Sequence, residues 1–371
     1  MIPFNIICRD CGKETQEDEW KWRDECGGAL DILFDLRGRQ FPHLVNVEEQ
    51  NLRRYAQLLP LQGLPPVHQG WTPIAKRSIS GVEVNFKLEY LSIGGSFKDR
   101  GAYVSVARAK ELGAKGIIVD SSGNAGIGFS LMGLLSGVDV SVFLPKHAPE
   151  GKKNLLRLFK ASVHEIDGDR MDVNRAALAA EQDGLAYVGH WWNPYFIEGV
   201  KTIAYEAYEQ LGNVDFVVSP VGSGTMLLGL HKGYAELREL GAVNEMPTFI
   251  AVQAYGYSAI CEDLGCKPPA APSSKLADGI AIADPPRRRQ ITDAVRTTGG
   301  HCVVVGDEEI RQALVELIEL GFVVEPTSAT AYAALQQCIK AGSIKAGTRV
   351  LLPLTGSGFK LVDELIALTA R

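Results

Sequence analysis

The chain has 371 residues, 46% of them apolar and 22% charged; that is more than one hydrophobic core ordinarily serves, so two packed lobes are expected and a disordered chain or small stapled domain is excluded. With 44 acidic against 38 basic side chains the net charge is -6, which supplies no cationic field for nucleic acid or anionic lipid. Seven cysteines, an odd number thinly spread, read as reduced thiols of a cytoplasmic protein.

The apolar run Ile2 to Ile7 has no basic leader and is cut by Arg9 and Asp10, so no secretory signal is expected. Beyond the first forty residues, short runs rich in Val, Ile and Phe alternate with longer segments of helical period, the pattern of a parallel sheet with crossover helices. After Lys98 a helix is predicted, with Ala102, Val106 and Ala109 on one face and Gly113 to close it. Strands at 117–120, 138–144 and 162–166 then alternate with helices from Ala125, through Leu155 to Phe159, and from Asp172. The longest uncharged run, the 18 residues between Asp120 and Asp139, holds Asn124, four serines and five glycines, so it reads as a buried turn and helix and no membrane span is expected. A second series follows: helix 199–211, strand 216–219, helix 225–240 and strand 248–253. It resumes with strand 302–305, helices 308–320 and 327–341, strand 350–354 and a closing helix from Phe359. Between Cys261 and Arg289 the composition turns to Pro, Ala, Ser and the triplet Arg287-Arg288-Arg289, read as a surface excursion.

In open parallel sheets, ligands gather beyond the carboxyl ends of strands, where helix N-termini present unpaired N–H groups. Three strand-to-helix loops stand out. Ser219-Pro220-Val221-Gly222-Ser223-Gly224-Thr225 combines two glycines with hydroxyls, suiting either a phosphate or an ordinary tight turn. It is not a dinucleotide fingerprint, because Leu227 stands where Gly or Ala is wanted, and this argues against a nicotinamide oxidoreductase. Ser121-Ser122-Gly123-Asn124 suits a carboxylate, or else a plain N-cap by Ser122 or Asn124. In Gly94-Gly95-Ser96-Phe97-Lys98-Asp99-Arg100-Gly101, Lys98 falls at a helix N-terminus. The macrodipole there disfavours a cation and makes a neutral amine available to attack a carbonyl, unless the lysine is merely solvated.

Together these loops resemble the pyridoxal-phosphate enzymes of the tryptophan-synthase-β type (fold type II), in their threonine-synthase-like branch, over nearly the whole chain. Ser96-Phe97-Lys98-Asp99-Arg100-Gly101 is similar to the segment carrying the Schiff-base lysine. Ser121, Ser122, Gly123 and Asn124 are similar to the substrate-carboxylate loop, with Asn124 also reaching the cofactor's phenolic oxygen. Gly222, Ser223, Gly224 and Thr225 are similar to the phosphate cup. Leu354-Thr355-Gly356-Ser357-Gly358 is similar to the segment that turns Thr355 toward the pyridine nitrogen, and Glu325-Pro326-Thr327-Ser328-Ala329 to a recurrent segment of the group. The resemblance implies an α/β fold of two doubly wound open-sheet lobes with the active site in the cleft between them. It further implies a large cofactor-binding domain of 41–97 and 191–371, a small domain of 98–190 with the carboxylate loop, and a homodimer. Lys98 would bond the cofactor and then move the substrate's α-proton, while the hydroxyl of Thr355, in place of a carboxylate, biases the chemistry toward elimination or replacement.

Residues 1–40, with Cys8, Cys11 and Cys26, resemble the zinc-ribbon extension of some threonine synthases and cysteate synthases. The fourth ligand is expected at 23, where Arg23 stands, and Asp24 and Glu25 are awkward substitutes. The segment is either a zinc site or a knuckle that keeps the shape without the ion. Cys261, Cys266, Cys302 and Cys338 fall in or beside core-like segments.

The implied activity is conversion of O-phosphohomoserine to threonine and phosphate, a carbon–oxygen lyase acting on a small amino-acid substrate. Alternatives are a β-eliminating threonine or serine dehydratase, a β-replacement synthase of the cysteate-synthase kind, and an inactive regulatory protein of the same fold. The resemblance, anchored on Asn193-Pro194 and Glu198-Gly199, implies an arginine for the substrate's phosphate at 196, where this chain has Phe196; a phenyl ring offers a phosphate nothing. Lys146, Lys152 and Lys153 are substitute candidates. His190, Trp191, Trp192 and Tyr195 around it form either an apolar wall over the side-chain pocket or plain packing.

Overall fold

The computed structural model describes residues 2–148, 150–181, 184–268 and 271–370. In chain order the first elements are β1 (Phe4–Cys8), β2 (Glu14–Thr15), β3 (Leu30–Phe34), β4 (Ile74–Ile79), β5 (Val82–Lys87), α1 (Lys98–Glu111), β6 (Gly116–Val119), α2 (Asn124–Ser136), β7 (Asp139–Pro145), α3 (Glu150–Leu158), β8 (Ser162–Ile166), α4 (Arg170–Ala179), β9 (Leu185–Tyr187) and α5 (Pro194–Leu211). They are followed by β10 (Phe216–Pro220), α6 (Thr225–Glu239), β11 (Thr248–Ala254), α7 (Ala259–Asp263), α8 (Arg288–Thr297), β12 (His301–Val305), α9 (Asp307–Glu319), α10 (Pro326–Ala341), β13 (Arg349–Pro353) and α11 (Val362–Thr369). Among the described residues no helix is long and apolar enough to cross a membrane.

The chain forms two units. The first comprises Met1–Trp71 and Lys98–Thr202, the second Thr72–Phe97 and Ile203–Arg371. Residues 41–71 and 191–202 thus group with the first unit, whereas the large domain was expected to hold them. Local contacts account for both. Tyr103 Oη donates to the Pro65 carbonyl at 2.7 Å and Gly63 N to Glu111 at 2.8 Å, while Phe196 packs on Gly101 and Phe129.

In the first unit β2, β1 and β3 make an antiparallel ribbon in which Phe4, Ile6 and Cys8 face inward opposite Phe34, Ile32 and Leu30. The alternation buries one face of the ribbon and leaves the other to water. Strands β8, β7, β6 and β9, in that order, form a parallel sheet, whose β6 (Gly-Ile-Ile-Val) is buried throughout, as crossover helices on a parallel sheet require. Two other helices grip the first turn of α1. A Cβ added at Gly128 of α2 would lie 2.9 Å from Asp99 Oδ1, and one at Gly199 of α5 would lie 2.0 Å from the Arg100 carbonyl oxygen. Only glycine lets the backbones approach so closely. Arg100 Nη1 then donates to Thr202 Oγ1 of α5 at 2.9 Å.

In the second unit the sheet order is β12-β11-β10-β13-β5-β4, parallel except for β4, which runs antiparallel to β5. Its exposed Lys76, Arg77 and Ser78 suit an edge strand and masked it from sequence reasoning. The core gathers Val84, Phe86, Val218, Ile250, Val252, Leu314, Leu335 and Leu352, all fully buried.

Three expectations change here. Cys261 and Cys302 are joined in a disulfide, so these two are not reduced thiols; α7 brings Cys261 against β12 across 41 residues of sequence, a proximity that linear spacing does not show. The stretch read as a surface excursion also contributes to the core. Ala277 and Ile280 are buried at 0% and 3% exposure, and the triplet's Arg288 opens α8. The closing helix begins later than expected, at Val362, after a single 3-10 turn at Gly358–Lys360.

Candidate active site

Lys98 is the first residue of α1 and half-buried, its Nζ 5.6 Å from the centre of the Phe196 ring. Phe196 is fully buried and packs against Phe129 (5.9 Å) and His190 (5.6 Å). Burial, with the charges of Lys98 and Arg170 adding, holds His190 well below the usual imidazole range, so the ring is neutral near pH 7. The amine therefore faces an apolar wall. Of the aromatic cluster expected near it, His190 and Phe196 line this wall, whereas Tyr195 stacks on Trp20 and Trp192 carries the Arg23 guanidinium at 3.8 Å. Lys153 is taken up by Glu165 (2.8 Å) and the Lys146 carbonyl (2.7 Å), which leaves it a poor phosphate partner.

The loop 121–124 follows β6 and leads into α2. Gly123 is the N-cap, in extended conformation, and its N–H donates to Ser121 Oγ at 3.3 Å. The capping reading of Ser122 or Asn124 is therefore not realised, since glycine holds the cap and Asn124 is already the first helical residue. Immediately before the loop, buried Asp120 accepts from Arg170 (2.8 Å) and Asn174 (2.8 Å), and Asn174 also reaches the Tyr187 hydroxyl at 3.1 Å. That network steadies the strand end from which the loop departs.

In the second unit, β10 ends at Pro220 and Val221 N donates to the Val252 carbonyl at 2.7 Å. Gly224, in the left-handed region at φ 82°, is the N-cap of α6, and Thr225 is its first residue. The Ser223 and Thr225 hydroxyls lie 3.4 Å apart, both buried. Added Cβ atoms would strike Ile280 Cα at 2.8 Å from Gly222 and Ile291 Cδ1 at 2.2 Å from Gly224. The loop thus gathers backbone N–H groups and two hydroxyls at a helix N-terminus, an arrangement suited to a phosphate.

Thr355 follows β13. Leu354 N donates to the Lys87 carbonyl (2.9 Å), and Phe97, the residue before Lys98, donates to the Thr355 carbonyl (3.1 Å). Ser328, in the first turn of α10, was noticed in sequence without a role; the structure supplies one. Its Oγ accepts from Thr355 N (2.9 Å) and Gly356 N (3.1 Å) and lies 2.9 Å from Thr355 Oγ1. With two N–H groups filling its lone pairs, the Ser328 hydrogen goes to Thr355 Oγ1 and leaves the Thr355 hydrogen to donate onward. A donor in that place suits an unprotonated ring nitrogen.

At the N-terminus the Sγ atoms of Cys8, Cys11 and Cys26 and a carboxylate oxygen of Asp24 lie within 4.8 Å of one another. The fourth position falls to Asp24 and not to 23, because the Arg23 side chain is turned away onto Trp192 and Nε donates to the Gly27 carbonyl.

The signature of pyridoxal-phosphate dependent enzymes matches residues 66–356. Threonine synthase of Methanocaldococcus jannaschii is 31% identical over 97% of this chain and 93% of its own length, and that of Methanosarcina acetivorans 30% over 95% and 91%. Among solved structures, a fungal L-serine ammonia-lyase from Rhizomucor miehei shares the fold at 19% identity and a TM-score of 0.70, covering 82% of this chain and 98% of that one. The groups present in each unit fit the cofactor's chemistry: in the second, the 222–225 loop suits a phosphate and the Thr355 hydroxyl a ring nitrogen, and in the first, Lys98 carries an amine that suits an aldehyde. The chain belongs to the pyridoxal-phosphate dependent enzyme family, in its fold type II, and is a pyridoxal-phosphate-dependent lyase similar to threonine synthases.

Proposed function

We propose that the chain converts O-phospho-L-homoserine and water to L-threonine and inorganic phosphate, with Lys98 as the catalytic amine. Bound pyridoxal phosphate supplies the electron sink for a carbanion at the substrate's α carbon. Ser223, Thr225 and the N–H groups of 222–225 would hold its phosphate, and Thr355 Oγ1 would donate to its ring nitrogen. Ser121, Ser122, Gly123 and Asn124 take the substrate carboxylate, with Asn124 also serving the cofactor's phenolic oxygen. Lys98 Nζ would hold the cofactor's aldehyde at rest and move the substrate's α-proton during turnover, and the neutral wall of Phe196 and His190 would limit water on its side of that nitrogen.

The single observation that carries the reaction class is the Ser328–Thr355 hydroxyl pair. A hydroxyl donor leaves the ring nitrogen unprotonated, which moderates electron withdrawal and favours elimination and replacement over transamination. The substrate itself is supported by likeness to threonine synthases over nearly the whole chain.

Phe196 favours a second reading. A fully buried phenyl ring beside Lys98 offers no partner to a phosphate dianion, which supports β-elimination from unphosphorylated L-threonine or L-serine. Phosphate release from O-phospho-L-homoserine upholds the first reading. Ammonia and a 2-oxo acid from threonine or serine, with no phosphate release, upholds the second. Absence of both would overturn the two together. Thr355→Asp, with an unchanged ratio of elimination to transamination products, would contradict the role given to the hydroxyl.

A further inference from the structure

We propose that Cys8, Cys11, Asp24 and Cys26 form a closed site for one zinc ion, and that the ion holds the segment 20–23 against 187–195, beside the reaction pocket.

The fold brings the four ligands together from two knuckles. Cys8 ends β1, and the hairpin to β2 turns through Cys8 N to the Lys13 carbonyl (2.9 Å) and Gly12 N to the Cys8 carbonyl (3.0 Å). The second knuckle precedes β3, with Gly27 N on the Asp24 carbonyl (2.9 Å) and Asp24 N on the Gly28 carbonyl (3.1 Å). Antiparallel pairing of Cys8 with Leu30 sets both at one end of the ribbon. Gly28 packs so closely on Cys8 Sγ that an added Cβ would lie 2.6 Å from it, so the backbone itself confines the sulfur.

Two of the ligand pairs have tetrahedral spacing, and all four ligand atoms lie within 4.8 Å of one another. Zinc–sulfur bonds near 2.3 Å and zinc–oxygen bonds near 2.0 Å place two sulfurs about 3.8 Å apart and a sulfur and an oxygen about 3.5 Å apart. Cys8 Sγ and Cys26 Sγ are 3.6 Å apart, and Cys11 Sγ and Asp24 Oδ1 are 3.5 Å apart. Three thiolates with one carboxylate select a thiophilic divalent ion over calcium or magnesium. Four protein ligands leave no open position, so the site is structural.

Between the knuckles the chain presents Trp20, Trp22 and Arg23. Trp20 stacks on Tyr195 at 5.3 Å and its Nε1 donates to the Tyr187 carbonyl at 3.0 Å. Trp22 meets the Tyr187 ring edge-on at 4.8 Å, and Arg23 covers Trp192. These contacts fall on the stretch that carries His190 and Phe196.

The test uses the full chain purified under reductant without chelator, with zinc measured by atomic emission. About one zinc per chain is expected for a single four-ligand site. Cobalt(II) should replace it with thiolate charge-transfer bands and tetrahedral d–d bands. Asp24→Ala should weaken binding by more than about 100-fold, because even outer-shell partners are worth 10–100-fold. Asp24→Cys should retain the metal and raise the thiolate band by about one third, four sulfurs replacing three; it also serves if Asp24→Ala does not fold. A zinc-free protein that gives no thiolate band with cobalt overturns the site, and undiminished affinity in Asp24→Ala overturns Asp24 as a ligand. Stripping the metal from the parent should speed amide exchange across 187–196. Unchanged exchange there overturns the clamp.

Discussion

Replacing Gly199 by alanine puts a methyl group where α5 has no room for one. The added Cβ would lie 2.0 Å from the Arg100 carbonyl oxygen, 2.5 Å from its carbon and 2.8 Å from Gly101 N, against 3.4 Å for an ordinary contact. The two backbones must therefore separate by at least about 1.4 Å at that point. No side-chain rotation relieves it. Overpacking of this kind costs about 1–3 kcal/mol, and a clash with backbone belongs at the upper end. Alanine returns about 1 kcal/mol in a helix interior, so a net loss of about 2 kcal/mol is expected. For a unit of this size that lowers the melting temperature by about 4–8 °C, read by circular dichroism. The displaced turn carries Lys98, so turnover should fall as well, by about 100-fold for a misplacement near 1 Å. Gly151→Ala in α3, with no atom within 4 Å of the new methyl, is the control and should be neutral or slightly stabilising. If Gly199→Ala melts at or above the parent with turnover intact, the close approach of α1 and α5 does not position the lysine.

Ser328→Ala strips the acceptor from Thr355 N and Gly356 N; it should cost about 2 kcal/mol or more in urea unfolding and lower turnover, and parental stability would refute the pairing. His190 is held below its ordinary value, so the unfolded chain takes up a proton near pH 6.5 that the folded chain refuses; stability should fall as pH drops below that point, by up to about 1.4 kcal/mol per unit. His190→Asn should lessen the decline between pH 7.5 and 5.5, and an identical decline in both proteins would count against a buried neutral imidazole. Lys87→Met leaves the Glu206 carboxylate buried beside a methyl group and should cost about 3–5 kcal/mol, most of it restored in Lys87→Met/Glu206→Leu, with denaturant midpoints of both variants as the check. A single variant as stable as the parent would show that the pair carries no such penalty.

What was legible in sequence was local. The runs 117–120, 138–144 and 162–166 lie within one residue of β6, β7 and β8 at each end; β6, buried along its whole length, is written as an unbroken apolar run. Lys98, Asn124 and Thr225 open α1, α2 and α6, since a loop between a strand and a helix announces itself by glycine and hydroxyl residues. What escaped depends on partners far away in sequence. Ser328 matters through Thr355, 27 positions on. Ile280 lies in a stretch with neither helical nor strand period, yet it packs under Gly222. The fourth ligand of the N-terminal cluster shows the limit most plainly. Spacing alone pointed to 23, but Arg23 finds Trp192, and the next side chain turns toward the thiols in its place.

The buried pair of Lys87 and Glu206 explains how a parallel sheet can hold a polar group so steadily at its edge of chemistry. All three ammonium protons are used, on the Thr72 carbonyl (2.6 Å), Glu206 Oε2 (2.7 Å) and Gln210 Oε1 (3.0 Å), at a site with no solvent exposure. Thr72 also gives its hydroxyl to buried Glu89 at 2.6 Å. A pair of this kind adds little net stability, because desolvation offsets the attraction; what it does impose is position, since only one placement satisfies every donor. Lys87 is the last residue of β5, paired with Pro353, and its carbonyl takes the Leu354 N–H one residue before Thr355. An aliphatic pair would pack as well, but it would leave Gln210 Oε1 without its donor and Thr72 N without its acceptor and would allow the strand end to slide. The ion pair therefore fixes the end of β5, and with it the strand end from which Leu354 leads into Thr355 and its partner Ser328.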